Sequence, residues 1–234
     1  MATTKVLLLG IPRSGTTLLT SMIGAHPDAA MLNEDFSYAM DSVIGKKVVG
    51  NKLCIPNQIK RSPSLVARVL RRYGIHLFRE RSVLSIEEHL HHETLHLLII
   101  LRDPRAVIAS MMDRGGLSFG EATTRWRRGI ELADTLWSEE RDRTMVVSFE
   151  ALVQEPEVVV RSICEFVQLT FTPDMLEGWR GHSYVGRGEI QKEKARAGEE
   201  ANLPGDVQTM YPDTYREYET LRAECITESA VGTP

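Results

Sequence analysis

The chain opens on a continuous apolar run, KVLLLG (residues 5–10), and after a short polar turn continues as TTLLTSMIGAH (residues 16–26), whose apolar positions recur at helical spacing. A run that is apolar at every position predicts a central strand covered on both faces, so this start reads as strand, tight turn and helix. The pattern returns along the sequence. KVVGNKLC (residues 47–54) predicts a second strand, PSLVARVLRRYG a helix from Pro63 to a stop at Gly74, and HLLIILR (residues 96–102) a third strand. DPRAVIASMM follows at once, with Asp103 placed as an N-cap and Pro104 at the first helical position. Further on, the spacing predicts a helix over about residues 119–139, with Trp126 and Trp137 on one core-facing side. A strand over 144–149, a helix opened by Pro156 and a last helix near 211–224 complete the pattern. Strands alternating with helices predict an α/β fold, a parallel sheet with helices on both faces. The charged, Gly-flanked stretch 186–205 reads as a loop and residues 226–234 as a disordered tail, leaving one domain over 1–225.

With 234 residues, 42% of them hydrophobic, the chain is long enough for one sizeable core. Its formal charge of −4 gives no overall field to attract nucleic acid or an anionic membrane, so an anionic ligand must be held by a local cluster of donors. Three widely spaced cysteines, Cys54, Cys164 and Cys225, form no C-x-x-C pair and read as small apolar residues of a reducing compartment. The first apolar run is cut by Pro12 and Arg13, too short for a signal segment or a membrane span, so a cytoplasmic soluble protein is expected. His89, His91, His92 and His96 lack the spacing of a metal site and read as an exposed helix and strand entry; no metal is expected. Arg68, Arg71, Arg72, Arg79 and Arg81 read as a solvated face.

The chemistry gathers in GIPRSGTT (residues 10–17). It has the outline of a phosphate-binding loop, with Gly10 and Gly15 in place, but Thr16 stands where such a loop carries its lysine. The backbone cradle survives: Gly15 permits close approach, Ser14, Thr16 and Thr17 offer donors, and the positive charge has moved to Arg13. PRSGTT after an N-terminal strand resembles the 5′-phosphosulfate loop of sulfotransferases that use 3′-phosphoadenosine 5′-phosphosulfate. A second stretch agrees, since LRDPRAVIAS supplies Arg102 at a strand end and Ser110 eight residues later, the pair that in that family binds the 3′-phosphate. SFEALVQEPEVVVRSICEFVQL is similar to a third family stretch and places Phe149 where a tyrosine usually contacts adenine. The resemblance covers roughly residues 5–170, implies the P-loop-like sulfotransferase fold, and extends in a weaker form to Arg187 and Gly188 as completing the 3′-phosphate site.

The resemblance implies in-line transfer of a sulfuryl group to an acceptor hydroxyl, with 3′,5′-adenosine bisphosphate as the product. Sulfuryl carries less charge than a γ-phosphate, so no metal is required by the same logic as in phosphoryl transfer. Arg13 and Lys52 are the candidates for stabilising the transferring group, and Lys52 resembles the strand-end lysine of tyrosylprotein sulfotransferases. Those members carry RSGTT, then A-H-P, then a catalytic glutamate. Here Ala25-His26-Pro27 is followed by Leu32-Asn33-Glu34-Asp35, and Glu34 falls on that position as general base. Many other members use a histidine, and His26 before Pro27 reads instead as a helix-ending residue. The expected acceptor is a small-molecule hydroxyl, ahead of a protein tyrosine. The competing reading is an ATP-dependent P-loop kinase, with Asp103 imitating a strand-end aspartate.

Overall fold

The structure, a computed structural model, describes residues 3–36, 39–60, 84–181 and 197–225. Five strands make one all-parallel sheet: β1 (Thr4–Gly10), β2 (Ala29–Asn33), β3 (Val48–Cys54), β6 (Leu95–Leu101) and β7 (Thr144–Ser148), in the order β2-β3-β1-β6-β7. Two short strands, β4 (Ile59–Lys60) and β5 (Leu84–Ser85), pair beside it. The all-apolar runs are central because both of their faces are covered. Along β1 the side chains alternate, with Leu7 and Leu9 in one core and Val6 and Leu8 in the other. The first core packs against the helices Pro104–Gly115, Phe119–Glu139 and Pro212–Ala223. The second packs against Thr16–Gly24, Phe149–Gln154 and Pro156–Phe166.

The expected α/β architecture is the one observed, and several details differ. β2 was not expected. Its five residues AAMLN form an edge strand only partly covered, with no alternation to announce it. The last sheet strand stops at Ser148, whose hydroxyl accepts from the Ala151 amide, so Phe149 opens a helix instead of closing a strand. His89, expected on an exposed helix, is 4% exposed, and the helix Glu87–Leu90 that carries it is a single turn packed beside β5. Trp126 is buried, and Trp137 packs at the margin of the same core. Cys54, Cys164 and Cys225 are free thiols, the last two buried. The helix expected over residues 63–74, Arg187, Gly188 and the tail 226–234 lie outside the described residues. No helix among the described residues is long and apolar enough to cross a membrane.

The chain leaves β1 first toward β3 and β2 on one side, then returns to β6 and β7 on the other. In open parallel sheets ligands bind beyond the carboxyl ends of the strands where the order reverses in this way, and β1 ends at that edge.

Candidate active site

Gly10, the last residue of β1, leads into a turn closed by the Ser14 amide donating to the Ile11 carbonyl at 3.0 Å. Arg13 (φ 80°) and Gly15 (φ 94°) both adopt the left-handed conformation, which turns successive amides toward one side. Gly15 then caps the helix Thr16–Gly24 with no side-chain cap, and no acidic residue occupies its first turn. The free first-turn amides and the helix dipole therefore favour an anion at this end. Only glycine fits at 15: a Cβ there would lie 2.4 Å from Cδ2 of Phe149. Ser14 and Thr16 are buried, and Thr17 is half-buried.

A cationic group adjoins the loop. Arg102, just past β6, donates from Nη1 to the Arg13 carbonyl at 3.0 Å, and Arg13 Nε donates to Ser110 Oγ at 3.1 Å. The two residues expected at a 3′-phosphate thus meet through Arg13. Ser110 is carried by the helix Pro104–Gly115, started by Asp103, whose carboxylate accepts from the amides of Arg105 and Ala106. The Arg102 guanidinium lies 4.4 Å over the Phe149 ring, which is itself 5% exposed. Burial lowers the Arg102 pKa against the opposing pull of Glu150 and Asp103, and Arg114 and Arg13 lower it further. Burial and Arg114 likewise lower that of Arg13. An anion seated here would relieve this mutual repulsion.

The third group pairs a base with a cation. Glu34 follows β2 at φ 57°, and its amide donates to the Lys52 carbonyl at 2.9 Å. Lys52 on β3 is 3% exposed, and its Nζ donates to Glu34 Oε1 at 2.6 Å. The Glu34 side chain keeps 38% of its surface exposed, so the carboxylate remains within reach of a ligand. Burial pushes its pKa up, but the hydrogen bond and charge of Lys52, with a hydrogen bond from Gln58, outweigh it and hold the carboxyl below its ordinary value. Asn51 fixes the next residue by accepting from the Asp35 amide and donating to the Asp35 carbonyl. Cys54 Sγ lies 4.0 Å from Glu34 Oε1; burial raises its pKa, which keeps it a thiol.

His26 has a different task. The Asp28 amide donates to its Nδ1, so Nε2 carries the proton and donates to the Thr170 carbonyl at 2.7 Å. It is buried and fully engaged, ending its helix as expected. Gln58 and Asn51 were absent from the sequence reading, because an amide acting across a turn or between strands leaves no periodic signal.

The carboxyl edge of the sheet thus gathers an uncapped glycine loop, an arginine cluster and a Lys–Glu pair, and the chain as a whole is similar to known proteins in three comparisons. The sulfotransferase family model matches residues 89–173, a span that includes Arg102, Ser110 and Phe149. Over that span the chain is similar to the sulfotransferase family. Protein-tyrosine sulfotransferase 1 of Danio rerio is 24% identical over 194 residues, covering 71% of this chain and 54% of that protein. Protein-tyrosine sulfotransferase A of Caenorhabditis elegans is 25% identical over 207 residues, covering 71% and 50%. The chain spans about half the length of these curated relatives. Among solved structures, the sulfotransferase domain from the Synechococcus PCC 7002 olefin synthase superposes with a TM-score of 0.61 at 19% identity, over 99% of this chain and 96% of that one. The sulfotransferase domain from the curacin biosynthetic pathway gives 0.63 at 16% identity, over 96% and 99%. These two share the sulfotransferase fold with this chain.

Proposed function

We propose that this chain transfers a sulfuryl group from 3′-phosphoadenosine 5′-phosphosulfate to an acceptor hydroxyl, leaving 3′,5′-adenosine bisphosphate. The donor set suits such a nucleotide. The loop Arg13–Thr17, with its left-handed Arg13 and Gly15 and its uncapped helix start, would hold the 5′ end. Arg102 and Ser110 would hold the 3′-phosphate, with Phe149 beside the adenine and Arg187 and Gly188 completing the grip. When bound, the donor supplies an activated sulfuryl group carried on a phosphate.

The observation that carries the reading is the Lys52–Glu34 pair, 2.6 Å apart beside a P-loop that has lost its lysine. Glu34 takes the proton of the acceptor hydroxyl at its carboxylate, while Lys52 and Arg13 offset negative charge on the transferring group. A phosphoryl-transferring P-loop needs its lysine and a metal-holding carboxylate. Here Asp103 is spent as a helix cap, which argues against the kinase. The acceptor in this reading is a small-molecule hydroxyl. A protein tyrosine is the second reading, favoured by the names of the tyrosylprotein relatives.

Thermal shift tests the donor. 3′,5′-adenosine bisphosphate without metal should stabilise the chain by about 2.7 kcal/mol at a hundredfold excess over Kd, and ATP with Mg²⁺ by much less. The reverse order overturns the reading. Labelled donor offered with hydroxylated metabolites and with tyrosine peptides then separates the two acceptor classes.

A further inference from the structure

We propose that Gln58 is a positioning residue for Glu34, fixing the carboxylate so that Lys52 takes one oxygen and a neutral donor takes the other. The inference rests on Glu34 as the base of the proposed transfer. Gln58 lies in the turn that joins β3 to β4, and its backbone is tied at both ends. Its amide donates to the Cys54 carbonyl at 2.8 Å, and its carbonyl accepts from Leu84 at 2.8 Å. The side chain is pinned as well, since Oε1 accepts from the Cys54 amide at 2.6 Å. That contact decides the orientation of the terminal amide. A backbone N–H needs an acceptor, so the oxygen faces Cys54 and the NH₂ must face the other way. It meets Glu34 Oε2 at 2.5 Å. Flipping the amide would set oxygen against a carboxylate and NH₂ against N–H, leaving both contacts repulsive.

Glu34 is therefore gripped at both oxygens, by Lys52 at Oε1 and by Gln58 at Oε2. A carboxylate has about four lone-pair sites, so two donors leave capacity for an acceptor hydroxyl while removing rotational freedom. Such preorganisation matters because proton transfer requires the base within hydrogen-bond reach in a fixed direction. The other ionisable groups facing Glu34 are Lys52 and Cys54, and Arg13 and Arg125 lie beyond the thiol. None of them supplies a donor to Oε2 among the described contacts.

The test follows the Glu34 carboxyl by carbon NMR in the full chain, with its signal assigned by loss in Glu34→Gln. Gln58→Leu removes the donor and should raise the Glu34 midpoint by up to about one pH unit, the scale of one hydrogen bond to a charged group at a partly exposed site. Gln58→Glu keeps an acceptor for the Cys54 amide, replaces the donor with a like charge, and should raise the midpoint further. Both variants should bind 3′,5′-adenosine bisphosphate within about threefold of the parent. Since Gln58→Glu preserves the backbone anchor, it decides the matter if Gln58→Leu does not fold. An unchanged Glu34 midpoint in the folded variants overturns the inference. Failure of Glu34 as base would show separately, as retained turnover in Glu34→Gln, whatever the titrations give.

Discussion

Lys52 and Glu34 stand eighteen residues apart in the chain, yet their side chains meet because Asn33 pairs in register with Lys52 across β2 and β3. The pairing sets the protonation behaviour of the site. Lys52 and Gln58 outweigh the effect of burial and hold Glu34 ionised below the ordinary carboxylate range in the ligand-free chain. Glu34→Gln keeps the size and hydrogen bonding of the side chain but removes the proton acceptor. It should cut turnover roughly 10²–10⁴-fold while leaving affinity for 3′,5′-adenosine bisphosphate nearly intact. The parent rate should rise with pH through a midpoint below the usual carboxylate value, and this limb should vanish in the variant. Near-normal turnover in Glu34→Gln, with the limb retained, would remove Glu34 from the mechanism. The loop motif put forward Arg13, and the family resemblance Glu34 and Lys52, one at a time. Neither reached Gln58 or the contact of Arg13 with Ser110, because these depend on how separate strand ends and turns converge.

Elements were legible in proportion to how fully they are buried or capped. KVLLLG and HLLIIL are apolar throughout because they are central strands, and the helix Pro104–Gly115 announces itself with Asp103 and Pro104. The helix Phe119–Glu139 likewise opens on a capping box between Ser118 and Glu121. β2 was illegible for the opposite reason, being a short edge strand whose partly exposed residues alternate in neither character nor size. That miss mattered, since β2 delivers Glu34 to the site. The cap at Asp103 yields a measurable expectation. Its carboxylate accepts from Arg105 at 2.8 Å and Ala106 at 3.1 Å, so Asp103→Ala should cost about 1 kcal/mol. Asp103→Asn, which retains a capping oxygen, should cost less. Urea unfolding reads both as shifts in midpoint at constant slope, and an Asp103→Ala midpoint equal to that of the parent would show that the helix start is held by its packing alone.

Across the whole molecule, the two edges of the sheet carry different loads. The carboxyl edge holds the anion loop, the arginines and the Lys52–Glu34 pair. Around the start of β1, Lys5 pairs with Asp41 and reaches the ring of His92, with His89 buried nearby. Burial lowers the His89 pKa to about 4; His92, His91 and Lys5 lower it and Asp41 raises it. The sign follows from linkage. Above pH about 6.5 the imidazole is neutral in both folded and unfolded chains and contributes nothing to the pH dependence. As pH falls from there toward 4, the unfolded chain binds a proton that the folded chain refuses, so stability is lost across that window. The loss has a limiting slope of about 1.4 kcal/mol per pH unit for one proton. His92, also lowered, adds in the same direction, while Glu88, whose pKa burial raises, opposes it. Comparison with His89→Leu isolates the one group. Unfolding free energies measured by urea between pH 7 and 4 should fall less steeply for His89→Leu than for the parent, so that the variant gains on the parent throughout the window. Parallel curves would mean that His89 is protonated in the folded chain at the same pH as in the unfolded one, and that acid loss of structure begins elsewhere.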